Sequence, residues 1–247
     1  MSMSMSMYSI SLRIRGRRCC VIGGGRVAER KVEGLLKAGG EVLVISPELT
    51  ARLREWHARG KIEVRLRPYC EGDLQGAVLV FAATDDPAVN AAVCAEAEQR
   101  GIWVNDAADP QRSTFHVPAV LRRGGLQIAV STSGAGPLLA RKIRDELAEQ
   151  YDEGYEDFVR LLAQLRQRLK ELDLDEHIRH ASYKRWIADR RRLIDWLKER
   201  DMGREPEGEL QDLVQELLEQ MLAAPLPERT HGASGAEAEQ QQEESRR

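Results

Sequence analysis

The chain has 247 residues, 31% of them charged, and a formal net charge of −3. That length suffices for a full hydrophobic core, in one large domain or in a main domain with a smaller companion. The near-neutral balance excludes a nucleic-acid binder whose whole surface is basic, and no run approaches the roughly 18 to 20 apolar residues of a membrane-spanning helix.

The opening MSMSMSMYSISLRIRGR lacks the apolar stretch of a secretory signal, so a cytoplasmic protein is expected. Cys19, Cys20, Cys70 and Cys94 form no C-x-x-C pair, and reduced core thiols are expected. From Arg17 to about Asp106 short apolar runs alternate with amphipathic segments, the pattern of a parallel sheet covered on both faces. CCVI (Cys19 to Ile22) predicts the first strand, and Val27, Val32, Leu35 and Leu36 fall near one face of a following helix that Gly39 and Gly40 stop. VLVI (Val42 to Ile45) predicts the second strand, and Pro47 to Arg59 a second helix ended by Gly60. IEVRL, AVLVFAA and IWVN predict three more strands, with PAVNAAVCAEAEQR as a helix between the last two. The expected class is α/β, a Rossmann-type doubly wound sheet.

After Asn105 the pattern changes. FHVPAVL and LQIAVSTS predict extended segments on either side of Arg122-Arg123-Gly124-Gly125, a hairpin outside the first sheet. Pro137 opens a helix, PLLARKIRDELAEQ. Beyond Tyr151, FVRLLAQLRQRL and YKRWIADRRRLIDWL carry apolar stripes at helical spacing, which makes Trp186, Leu193, Ile194, Trp196 and Leu197 packing residues. Glu207 to Leu222 fits one more amphipathic helix, and from about Pro225 the chain has too little to bury and is expected to be disordered. The expected division is 1–113 for the α/β sheet, 114–150 for the strand-containing segment and the helix after it, 151–222 helical and 223–247 disordered.

Gly23-Gly24-Gly25-Arg26-Val27-Ala28 matches G-x-G-x-x-A directly after the first strand. One glycine permits the tight turn, the next removes the side chain that would block a pyrophosphate, and free helix N–H groups meet the negative charge. The acidic residue that commonly ends the second strand is missing from ISPE, so adenosine would depend on backbone groups, Ser46, Pro47 and Glu48; no arginine follows at once, which favours NAD over NADP. Thr84 and Asp85 of AATDDP end the fourth strand, where they either line the nicotinamide half of the cleft or cap the next helix, a role open equally to Asp86.

With these elements placed, VIGGGRVAERKVEGLLKAGGEVLVISPEL, FAATDDPAVN, GIWVNDAADPQRSTFHVPA and LQIAVSTSGAGPLLARKIRDEL, in this order over residues 8–148, resemble the precorrin-2 dehydrogenase family, the siroheme-synthase N-terminal module that also occurs as a free-standing enzyme. The resemblance implies NAD-dependent oxidation of precorrin-2 to sirohydrochlorin on the way to siroheme or cobalamin. Some members also insert iron or cobalt. It further implies a homodimer interlocked through the strand-rich segment, a part that the extended segments after Phe115 fit.

The family carries an aspartate shortly after the V-N of its fifth strand, serving in proton removal and, in bifunctional members, in metal insertion. Here Asn105 is followed three residues on by Ala108; Asp109, four on, matches the variant of stand-alone dehydrogenases, and Asp106 is an extra carboxylate. The resemblance thus assigns catalysis to Asp109 first and Asp106 second, and the departure bears on metal insertion more than on dehydrogenation. A turn or cap residue is the alternative for Asp109, which precedes Pro110. Asn105 joins the cofactor-binding set.

A macrocycle rimmed by acetates and propionates calls for planar guanidinium groups. The candidates are Arg112, Arg122, Arg123, Arg141, Lys142 and Arg144, with Ser131, Thr132, Ser133 and the backbone of Gly134 to Gly136 as further donors; solvated helix faces are the alternative for the basic residues. His116 joins the substrate-binding candidates, as a metal ligand or proton carrier, with a packed strand residue as the alternative. His177 and His180 lie at no metal-binding spacing with any cysteine, and no metal ligand is expected. A bifunctional dehydrogenase and ferrochelatase, and a non-catalytic NAD-sensing regulatory module, stand as alternative functions.

Overall fold

The structure, a computed structural model, describes residues 7–199, 211–212 and 214–219. Five parallel strands form the main sheet: β1 (Arg18–Ile22), β2 (Glu41–Ile45), β3 (Glu63–Arg65), β4 (Leu79–Ala82) and β5 (Trp103–Asp106), in the spatial order β3-β2-β1-β4-β5. The order reverses between β1 and β4, so a crevice opens at their carboxyl ends, the place where doubly wound sheets take ligands.

Side chains alternate along a strand, and both sheet faces are covered. Cys19, Val21, Val44 and Phe81 pack with Ala28, Val32 and Leu35 of α1 (Arg26–Lys37) and Leu53 of α2 (Ala51–Ala58). Cys20, Ile22, Leu43 and Val80 pack with Val93, Cys94 and Ala97 of α3 (Pro87–Gln99). The two adjacent cysteines therefore lie in opposite layers. All four cysteines are free, and Cys70 alone is exposed.

Three expectations about elements need correction. The second helix begins at Ala51, not Pro47, because the Ser46 hydroxyl donates to the Glu48 carbonyl (2.7 Å) and holds residues 46–48 as a turn; Thr50 then caps the helix by accepting from Leu53 N (3.3 Å). Val27 lies at the edge of the buried stripe of α1 and is 37% exposed. Phe115 to Pro118 are not strand: Phe115 instead packs edge-on against Phe81, with ring centroids 5.4 Å apart.

The described chain divides into two compact units, with cuts between Ala119 and Val120, Ala129 and Val130, and Lys142 and Ile143. β6 (Ala119–Arg123) and β7 (Leu126–Val130) form a separate two-stranded hairpin turning at Gly124-Gly125, with Gly124 at φ +51°. α4 (Pro137–Gln150) follows. The second unit's core joins Tyr155, Phe158, Leu161, Leu165 and Leu169 of α5 (Gly154–Glu171) to Trp186 of α6 (Glu176–Ala188) and Ile194 and Leu197 of α7 (Arg190–Glu199). Leu193 and Trp196 pack against that core partly buried. YKRWIADRRRLIDWL is thus two helices, broken at Asp189, which caps α6. Residues 211–212 and 214–219 are helical, with Val214 and Leu218 buried one turn apart; the rest of the helix expected over Glu207 to Leu222, and the tail from Pro225, lie outside the described residues. Among the described residues no helix is long and apolar enough to cross a membrane.

Candidate functional site

The carboxyl ends of β1, β2 and β4 meet at the glycine turn, and the three glycines do different work there. Gly23 has φ +118° and donates its N–H to the Ile45 carbonyl (2.9 Å); a methyl group on it would overlap the Ala83 carbonyl oxygen. Gly24 lies against the turn after β2, where a methyl would overlap the Glu48 carbonyl oxygen. Gly25, the N-cap residue of α1, has φ −83°, which any residue adopts, and an added methyl would meet nothing within 4 Å. Among the described residues no side chain caps this helix end. The open Cα and the uncapped N–H groups of Arg26, Val27 and Ala28 make a cradle that fits a diphosphate. Ala28 is fully buried, so a small residue here lets helix and strand lie close together.

At the adenosine corner, Ser46 is 7% exposed and its hydroxyl is engaged by Glu48, so it braces the turn. Pro47 and Glu48 are exposed, and the Glu48 carboxylate is the acidic group available there for ribose hydroxyls. At the β4 end, Thr84 donates its hydroxyl to Asn90 Oδ1 (2.8 Å), while Asn90 Nδ2 donates back to the Thr84 carbonyl (3.1 Å). Asn90 is 1% exposed, and no motif in the sequence marks this clamp. Asp86, not Asp85, caps α3, accepting from Ala88 N (2.8 Å) and Val89 N (3.4 Å). Asp85 remains exposed beside the crevice.

The two candidate carboxylates differ sharply in setting. Asp106 is buried: its Oδ1 accepts from Ala108 N (2.9 Å) and Asp109 N (3.1 Å), and its Oδ2 from Arg112 Nε (2.9 Å). Asp109 keeps 37% of its side chain exposed, accepts from Gln111 N (2.9 Å) and lies 3.5 Å from Arg112 Nη2. Asp106 therefore builds the loop, and Asp109 is the carboxylate that the loop presents. Arg112 is shared between them. Asn105 is also internally engaged: its Oδ1 accepts from Lys31 Nζ (3.2 Å) and its Nδ2 donates to the Phe115 carbonyl (3.1 Å).

Among the substrate candidates, Ser131, Ser133, Gly134 and Arg141 are exposed in the first unit. Thr132 accepts from Gly136 N through its hydroxyl (3.0 Å) and from Ala135 N through its carbonyl (2.9 Å), a compact turn ahead of α4. Ser133 has φ +50°. The Nε2 of His116 is buried and has no hydrogen-bond partner among the described residues; its ring lies near Gly134, with Cε1 4.0 Å from where a methyl there would sit. Lys142 completes the first unit, while Arg122, Arg123 and Arg144 belong to the second. Arg123 is engaged by the Tyr151 carbonyl (3.0 Å), and Arg144 by Asp145 (2.6 Å).

No motif marks Lys31. The available signal was its place on α1, three residues after Ala28 and four before Leu35, at the flank of the buried stripe, where a lysine must lay its stem across apolar surface.

Residues 10–119 match a family model described as NAD(P)-binding, and residues 123–150 one described as sirohaem biosynthesis protein, central. The precorrin-2 dehydrogenase of Priestia megaterium is 33% identical over 187 residues, which are 76% of this chain and 92% of that protein. The siroheme synthase of Nitrosococcus oceani is 40% identical over 167 residues, 68% of this chain, and only 36% of its own length is covered. The solved structure of SirC, precorrin-2 dehydrogenase, superposes with a TM-score of 0.69 at 30% identity, covering 86% of this chain and 100% of that one. Identity at this level over nearly all of the Priestia protein, on a shared fold, makes this chain a member of the precorrin-2 dehydrogenase family.

Proposed function

We infer that the chain is an NAD-dependent precorrin-2 dehydrogenase, removing a hydride and a proton from precorrin-2 to leave the more conjugated sirohydrochlorin. The observation that carries this reading is the Gly25 cradle, open at the uncapped end of α1, in a chain whose 92%-covered relative is named for that reaction. Bound there, NAD supplies the hydride acceptor. The chain's own part is to orient and to take the proton. Gly25 and the first turn of α1 hold the diphosphate, Glu48 the ribose hydroxyls, and the Ala83–Asp85 corner the far half of the crevice.

Asp109 is the proton acceptor in this reading, since it is the half-exposed carboxylate of its loop, while Asp106 is enclosed by Arg112 and two backbone N–H groups. The exposed Arg141 and the Ser131–Gly134 turn are proposed to receive substrate carboxylates. Dinucleotide binding over 1–113 and a dimer- and substrate-facing segment over 114–150 are proposed as well, supported by the family models over 10–119 and 123–150. A homodimer is proposed too: Val117, Leu138 and Leu139 are 53%, 77% and 56% exposed, more apolar surface than a single copy covers. A cytoplasmic location remains the expectation. The test is purified protein with enzymatically made precorrin-2 and NAD. NADH growing in step with sirohydrochlorin is expected, and no NADH with intact substrate would overturn the reading.

A further inference from the structure

Lys31 is a half-buried cation on the sheet face that α1 and α2 cover, and its position links the helix of the glycine turn to the loop bearing Asp109. Its Nζ lies 4.9 Å from the centroid of the Phe81 ring and donates to Asn105 Oδ1 at 3.2 Å. Burial lowers its pKa below the ordinary lysine value, with Arg30 adding to the effect. Among the described residues no carboxylate lies within 4 Å of it to offset that cost.

An ammonium group only donates. It therefore decides which end of the Asn105 amide faces α1: the oxygen must, and the NH2 group is turned toward the Phe115 carbonyl (3.1 Å) and Ser113 Oγ (3.4 Å). Ser113 Oγ in turn accepts from Asp106 N (2.9 Å), and Thr114 N donates to the Val104 carbonyl (2.8 Å), so residues 113–115 return along β5. Asp106 holds the backbone of Ala108 and Asp109. An amide free to turn over would set its oxygen against the Phe115 carbonyl and loosen the return segment at Phe115, while Thr114 still ties it to Val104.

We propose that Lys31 is a positioning residue for the dehydrogenase reaction: acting through the Asn105 amide that it orients, it holds residues 113–115 and with them the loop carrying Asp109. This rests on the dehydrogenase reading, with Asp109 at the reacting end.

Lys31→Met keeps the apolar stem against Phe81 and removes the donor; Lys31→Arg keeps a cation; Lys31→Gln, whose amide donates or accepts alike and so no longer fixes the Asn105 orientation, replaces the methionine variant if that one folds poorly. Two measurements separate the outcomes. In the protein without added NAD, amide hydrogen exchange over residues 106–115 is expected to rise about tenfold in Lys31→Met, the scale of losing a hydrogen bond to a charged group, with β2 and β3 unchanged. In turnover, kcat is expected to fall about tenfold with the KM for NAD within about twofold, and Lys31→Arg to recover most of the loss. Unchanged exchange over 106–115, or a rise spread equally over the whole sheet, would overturn the link from Lys31 to this loop. A wild-type protein that makes no NADH would overturn the dehydrogenase reading itself, a failure that the exchange measurement keeps distinct.

Discussion

Replacing Gly25 by alanine separates binding from folding. The position is extended backbone at φ −83° and ψ −172°, and its added methyl meets nothing within 4 Å. Alanine is a poorer N-cap than glycine by about 1 kcal/mol, but it also restricts the unfolded chain by about 0.4–1 kcal/mol, so the two terms offset. The melting temperature without ligand should stay within about 2–4 °C of wild type. NAD at 100 times its Kd stabilises a single-site protein by about 2.7 kcal/mol, a rise of about 5–10 °C for a chain of this size. A methyl standing where the diphosphate must approach, weakening NAD about 100-fold, leaves only about 0.4 kcal/mol at the same concentration, near 1 °C. Gly24→Ala behaves the other way: its methyl overlaps the Glu48 carbonyl oxygen, and displacing that turn costs about 1–3 kcal/mol before any ligand is added. Thermal melts of the three proteins with and without NAD decide the matter. Gly25→Ala with an undiminished NAD-dependent rise would show that the diphosphate lies elsewhere.

The remaining predictions concern the carboxylates and the thiols. Asp109→Ala should lower kcat about 100-fold or more and leave the melting temperature near wild type; a full rate of NADH production in that variant would refute its role as proton acceptor. Asp106→Ala should instead destabilise by about 3 kcal/mol, read by denaturant titration, because Arg112 and two backbone N–H groups lose their acceptor. Asp73 is held down to about 2 from an ordinary 3.8, chiefly by its hydrogen bond to Arg67 and further by Cys70 N and Arg65. A folded-state pKa below the unfolded one adds stability that is complete above pH 4 and lost as pH falls toward 2, here about 2 kcal/mol, and Asp73→Asn should flatten that part of the stability–pH curve. Burial pushes the thiols of Cys19, Cys20 and Cys94 up to about 11, 12 and 11, while Cys70 is exposed. A thiol reagent should therefore modify one cysteine quickly in the native protein and the other three only on unfolding; a second fast thiol would contradict the buried placement.

Much of the first unit is legible locally. Apolar runs of four or five residues between amphipathic stretches specify buried parallel strands, and the predicted cores of β1, β2, β4 and β5 lie within a residue or two of the observed ones. Where the reading failed, a side chain competed with the backbone pattern: the Ser46 hydroxyl turned residues 46–48 away from helix, and Phe115 left the extended pattern to pack on Phe81. At the site, the motif located the cradle and gave its glycines different tasks, but not the neighbours that each must clear. Only the neighbouring segments of the folded chain show that Gly23 and Gly24 make room for the ends of β4 and β2, whereas Gly25 leaves room for something outside the protein.

By itself, the order of residues determined the layer architecture, the glycine turn and the family likeness, because hydrophobic periodicity and short motifs are properties of segments a few residues long. Which carboxylate is enclosed, which serine is already engaged, and that a lysine of α1 reaches an asparagine 74 positions away were decided only by the tertiary structure. Hydrogen-bond satisfaction is settled between segments distant in sequence. The same aspartate or amide becomes scaffold or reactive group according to which donors the folded chain brings within about 3 Å of it.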